Sequence, residues 1–169
     1  MAEQFTEMEH ERWTSDEQTF IRRLRLAYNG ELNEAEFATL QQDLNDEYFQ
    51  EVDRHTEAMK DATHPAAEEK THLDAILRFS MMLSAGGFFE DAAEFLDRRL
   101  AMTGGQPLAM PRDIYVGRLR AAAANFRSFA SGQEMRDISI YGPAVEGLAA
   151  YQRPKMRLKI GGPHARMIQ

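Results

Sequence analysis

Hydrophobic positions recur every three or four residues over most of this chain, and polar capping residues punctuate them where helices should begin. Thr14 followed by Glu17 has capping-box spacing, in which each side chain accepts the other residue's backbone N–H. Phe20, Leu24, Ala27 and Tyr28 then form a stripe, Arg22, Arg23 and Arg25 lie largely off it, and Asn29-Gly30 supplies a left-handed stop. A second capping box, Asn33 to Glu36, opens the longest periodic segment: Phe37, Leu40, Leu44, Tyr48, Val52, His55 and Met59. That helix should end by about His64, because Pro65 disfavours the α conformation in the residue before it. Pro65 suits the first turn of a third helix, whose inward face is Leu73, Ile76, Leu77, Ser80 and Leu83 up to Gly86-Gly87.

Phe88, Ala92, Phe95, Leu96 and Leu100 mark a fourth helix ended by Gly104-Gly105, and the loop GGQPLAMP follows. A fifth should start near Pro111 and carry Tyr115, Leu119, Ala122, Phe126 and Phe129, with the alanine run 121–124 favouring close packing. Gly132 ends it, a short helical piece is expected over residues 143–151, and residues 155–160 alternate as a short strand or extended arm would. The pattern predicts an all-α protein: a single irregular helical domain of about five to seven helices over residues 14–153. A polar N-terminal leader is expected over 1–13, and a short extended C-terminal arm and tail over 154–169.

Composition narrows the function classes. A chain of 169 residues with 43% hydrophobic content suits one ordinary core. No cysteine is present, which excludes disulfides, thiolate metal sites and cysteine nucleophiles and fits a cytoplasmic setting. No apolar run approaches the roughly 20 residues of a membrane span, and the N-terminal residues have no signal-like apolar segment, so a soluble protein without membrane partners is expected. The net charge of -7 is unevenly spread: residues 1–100 hold 10 Lys and Arg against 23 Asp and Glu, whereas residues 101–169 hold 10 against 4. Such a chain can close its basic half on its acidic half, or present faces of opposite sign to different partners. Nucleic-acid binding is not expected, since no recognised motif accompanies the arginines.

One pattern resembles a catalytic one. Glu-x-x-His occurs as Glu7 to His10 and Glu69 to His72, with Asp61 to His64 as a looser relative. Di-iron carboxylate bundles use this spacing to place a carboxylate and an imidazole on one helical face. Placement argues against it here: Glu7 and His10 lie in the polar leader, His64 precedes a proline, and Glu69 should flank the third helix's apolar face while His72 leans away. All are expected to be solvated charges. His55 falls on an apolar stripe and is expected to be structural, and Met81, Met82, Met102 and Met110 are expected as core filler. No P-loop, dinucleotide fingerprint or nucleophile elbow is present. Hence no catalytic, cofactor-binding or metal-binding residue is assigned.

The segment PLAMPRDIYVGRLRAAAANFRSFA, followed by Tyr141, Pro143, Val145, Glu146, Leu148 and KMRLKI, resembles the C-terminal part of the γ subunit of soluble methane and butane monooxygenase hydroxylases. In that family, too, a Met-Pro loop leads into an arginine-bearing helix and later a basic, alternating arm. NDEYFQEVDRHTEAM is similar to its acidic, aromatic long helix. The resemblance implies an α2β2γ2 hydroxylase of a bacterial NADH- and O2-dependent multicomponent monooxygenase. Its di-iron centre lies in the α subunit, and γ is an all-helical, non-catalytic peripheral subunit that stabilises the complex. A stand-alone helical adaptor or regulatory module is the alternative, and a ferritin-like di-iron protein a further one. For partner contact the candidates are Pro107, Met110 and Arg112 in the loop, Arg118, Arg120 and Arg127 on the fifth helix, and Lys155, Arg157 and Lys159 in the arm. Planar arginine donors can bridge carboxylates and carbonyls across an interface, and an extended arm can add backbone hydrogen bonds. The competing reading is that these arginines close onto the acidic half of the same chain.

Overall fold

A computed structural model describes residues 13–48, 66–103, 108–130, 157 and 158. Among them the chain forms five α-helices and no strand: α1 (Ser15–Tyr28), α2 (Glu34–Tyr48), α3 (Ala66–Ala85), α4 (Phe89–Thr103) and α5 (Arg112–Ala130). The all-α expectation holds. The continuation of α2 past Tyr48, with His55, the short piece over 143–151, and most of the expected arm lie outside the described residues.

Local chemistry sets the helix ends. Thr14 Oγ1 accepts the Glu17 N–H at 3.1 Å and Glu17 Oε1 accepts the Thr14 N–H at 2.9 Å. The same reciprocal pair opens α2, where Asn33 Oδ1 accepts the Glu36 N–H at 2.8 Å and Glu36 accepts the Asn33 N–H at 3.0 Å. Two otherwise orphaned N–H groups are satisfied at each start. α1 stops in a Schellman turn, in which the Gly30 N–H reaches the Ala27 carbonyl and the Glu31 N–H reaches Leu26, with Gly30 at φ 76°. α3 stops the same way at Gly87, φ 100°. There a second constraint applies, since a Cβ on Gly86 would stand 2.2 Å from the Leu24 Cβ and one on Gly87 would stand 2.5 Å from the Tyr28 ring. The glycine pair lets the α3–α4 corner press directly onto α1.

α3 is the central helix. It packs against α1, α4 and α5, α5 lies chiefly along α4, and α2 packs on α1. Tyr48, Phe79 and Phe95 bring α2, α3 and α4 together: Tyr48 meets Phe79 edge-on at 5.7 Å and Phe95 edge-on at 5.3 Å, while Phe79 and Phe95 stack at 5.2 Å. Met82 is buried, and Met81 and Met110 are partly buried against the core, as filler would be. Met102 is not among the described side chains.

Three polar residues depart from the sequence reading. Arg25, expected off the apolar stripe, is 1% exposed, and its Nε donates to the Ala85 carbonyl at 3.1 Å. A cation thereby meets the negative end of α3, where the last carbonyls lack helical partners. Glu69 and His72, expected to be solvated, are both fully buried. Both lie on the face of α3 that carries Leu73, Ile76 and Phe79, while Lys70, Thr71, Asp74 and Arg78 form its exposed face. Among the described residues no helix is long and apolar enough to cross a membrane.

Candidate partner-binding site

Glu69 organises the surface that the sequence singled out. Its carboxylate accepts the backbone N–H of Ala109 at 2.6 Å and that of Met110 at 2.8 Å, so the turn before α5 is clasped to α3. Two N–H donors on one carboxylate make a charge-assisted clasp stronger than a neutral pair. The Pro111 carbonyl then accepts from Ile114 and Tyr115, and α5 begins. Tyr115, Leu119, Ala123 and Phe126 face inward, all at most 2% exposed.

The candidate residues divide by location. Met110 is partly buried and held by its own backbone, and Arg112 is exposed at the start of α5. Arg127 pairs with Asp97 of α4. Arg157 reaches the same helix: its Nε donates to Asp91 at 2.7 Å, its Nη2 donates to Glu94 at 2.6 Å, and Glu90 stands 4.0 Å from Nη1. Its neighbour Leu158 is buried and donates its N–H to Asp91 at 3.4 Å. Burial pushes the Asp91 carboxyl above its usual value, an effect Arg157 offsets only in part. Burial alone would lower the Arg157 guanidinium, but Asp91 and Glu94 outweigh it and raise it. These two arginines close the basic half onto the acidic half. Pro107, Lys155 and Lys159 lie outside the described residues.

Arg118 and Arg120 behave differently. Both are exposed on α5, and neither pairs with a carboxylate among the described residues. Arg23, by contrast, pairs with Asp43 at 2.9 Å, and Arg78 with Glu17 at 2.6 Å. The same face of α5 carries Ile114, which at 49% exposure is the one large exposed hydrophobic side chain among the described residues. It also carries Gly117, the only described glycine inside a helix, whose absent Cβ would meet nothing within 4 Å. Sequence reasoning missed both Ile114 and Gly117. The available signal was their spacing from Tyr115 and Leu119, which places them on the opposite side of the helix.

Among the described residues no group of three or more His, Asp or Glu side chains is gathered to hold a metal ion. A cleft of about 400 Å³ opens between α1, the end of α2 and α3, lined by Phe20, Ala75, Phe79 and Met82 with Asp16, Glu47 and the Glu17–Arg78 pair. It lies on elements other than α5. Comparison with protein-family models, with curated proteins and with solved structures finds no match.

Proposed function

We propose that this chain is a non-catalytic small subunit of a cytoplasmic multicomponent di-iron hydrocarbon monooxygenase, of the hydroxylase γ type, stabilising a complex with larger α and β subunits. In this reading the di-iron centre belongs to the α subunit and the chain contributes surface rather than chemistry. One observation carries it: within the segment that resembles the γ subunits, α5 turns Ile114, Arg118 and Arg120 outward while its other face is fully committed to the core. An exposed apolar side chain beside cations that pair with no carboxylate among the described residues is the composition of a protein interface, where arginine is enriched. The Glu69 clasp supports the same reading, because it fixes the helix that presents them and uses the buried carboxylate for structure.

Co-expression with the large hydroxylase subunits of the same host tests the proposal. A stoichiometric complex is expected. Failure to co-purify under conditions where those subunits assemble with each other would contradict it.

A further inference from the structure

We infer that the outward face of α5 is the docking surface for an acidic helix of a partner protein, packed at short interaxial distance over Gly117. The inference rests on the reading of this chain as a partner-binding subunit, but not on which complex it joins.

At 100° per residue, Ile114, Gly117, Ala121 and Ala124 fall on one stripe of α5, opposite the buried stripe of Tyr115, Leu119, Ala123 and Phe126. All four are exposed. Arg118 lies along one edge of the stripe and Arg120 along the other. A glycine inside a helix is unfavourable because it adds backbone entropy and no packing. Elsewhere in the described chain the need for glycine is visible: a left-handed turn at Gly30, and close contacts with Leu24 and Tyr28 at Gly86 and Gly87. Nothing among the described residues requires one at 117.

Side-chain size at the contact sets how closely two helices approach, and a Gly-Ala-Ala stripe permits the short end of that range. Ile114 at one end of the stripe supplies an apolar anchor. Charge complementarity names the occupant. Two arginines bracketing a narrow apolar stripe match a helix with small or apolar residues along one face and carboxylates on its flanks. A nucleic acid would leave Ile114 and the alanines against phosphate and solvent, so the face does not suit one. A second copy of the chain would have to offer such a helix itself, and the oligomeric state tests for that.

The test uses the full chain and a fluorescein-labelled helical peptide of about 20 residues, long enough to be helical alone. The peptide has alanine and leucine on one face and glutamates on both flanks, and a second peptide carries lysines in their place. Wild type is expected to bind the glutamate peptide, with anisotropy falling as salt shortens the screening length from about 30 Å at 0.01 M to about 8 Å at 0.15 M. The lysine peptide should not bind. Gly117→Leu and the double variant Arg118→Glu, Arg120→Glu should each weaken binding roughly tenfold or more. Neither variant should unfold the chain, and Gly117→Ala should raise the melting temperature by about 2–4 °C.

Absence of glutamate-peptide binding by wild type overturns the inference, as does equal binding by wild type and variants. A wild-type dimer that Gly117→Leu dissociates also overturns it, in favour of a second copy. The two proposals fail separately. Wild type that binds the peptide through α5 but joins no hydroxylase subunit removes the monooxygenase reading alone. Hydroxylase subunits that assemble equally well with wild type and both variants remove only the α5 surface.

Discussion

The carboxylate of Glu69 accepts the backbone N–H of Met110 at 2.8 Å, tying the middle of the fold to the turn that launches α5, 41 residues further along the chain. Without it, that N–H and its neighbour on Ala109 lose their acceptor in a partly buried setting. Glu69→Ala should therefore cost about 2–3 kcal/mol of stability, measured by urea unfolding, with faster amide hydrogen exchange at Ala109 and Met110. Glu69→Gln keeps one acceptor oxygen and should lose about half as much. Equal stability of wild type and Glu69→Ala would show that the turn is held by other contacts.

Gly86 and Gly30 separate steric from conformational need. Alanine at 86 would set its Cβ 2.2 Å from the Leu24 Cβ, an atom fixed to the α1 backbone that cannot swing away. The helices must part, and the expected loss is at least about 2 kcal/mol. Alanine at 30 meets nothing within 4 Å and is disfavoured only by its positive φ, so about 1–2 kcal/mol is expected. Thermal melts of the two variants should rank Gly86→Ala below Gly30→Ala, and the reverse order would contradict the close approach of α3 and α1.

Glu17 gives stability a defined response to acid. Burial raises its carboxyl, but hydrogen bonds and charge from Arg78, together with the N–H and hydroxyl of Thr14, more than compensate and hold it below its ordinary value of 4.5. A carboxyl depressed in the folded state stabilises that state at pH above its unfolded value, and the contribution is lost as pH falls through the folded value. Unfolding free energy measured from pH 6 downward should therefore fall below about pH 4.5. Arg78→Met should be less stable at pH 6 and show a shallower acid limb. An unchanged limb would assign the acid response to other carboxylates. The Arg78 guanidinium also lies 5.0 Å over the Trp13 ring, so a small part of the loss at pH 6 should persist in acid.

What could be read from the chain follows the range of the interactions. Both capping boxes and both glycine stops depend on residues within six positions of one another, and they stand where the spacing placed them. Most of the inward stripe of α5 was equally visible, because that helix buries one face only: Tyr115, Leu119 and Phe126 are buried as expected, Ala123 takes the buried place expected of Ala122, and Phe129 is not among the described side chains. α3 defeated the same reasoning. Its buried face takes in Glu69 and His72 beside Leu73, Ile76 and Phe79, and what holds Glu69 there is the turn at Ala109 and Met110, about 40 residues away, which spacing within α3 does not reveal. Arg25 was misplaced for a related reason: its acceptor is the carbonyl of Ala85, 60 residues away. At the candidate site, the division between Arg127, which closes on α4, and Arg118 and Arg120, which face outward, depends on which side of α5 each occupies relative to Asp97. Charge counting shows a basic half and an acidic half, and only the packing of α5 on α4 assigns Arg127 to Asp97, and only the position of residues 157 and 158 against α4 assigns Arg157 to Asp91 and Glu94.

Native mass spectrometry of the chain isolated from its own host tests the proposed role most directly, since one spectrum reports both partners and bound metal. A complex containing two larger subunits, with iron that remains on the largest of them when the assembly is dissociated, is the expected result. A lone chain, or a chain that keeps iron after separation, would contradict the assignment of a non-catalytic hydroxylase subunit.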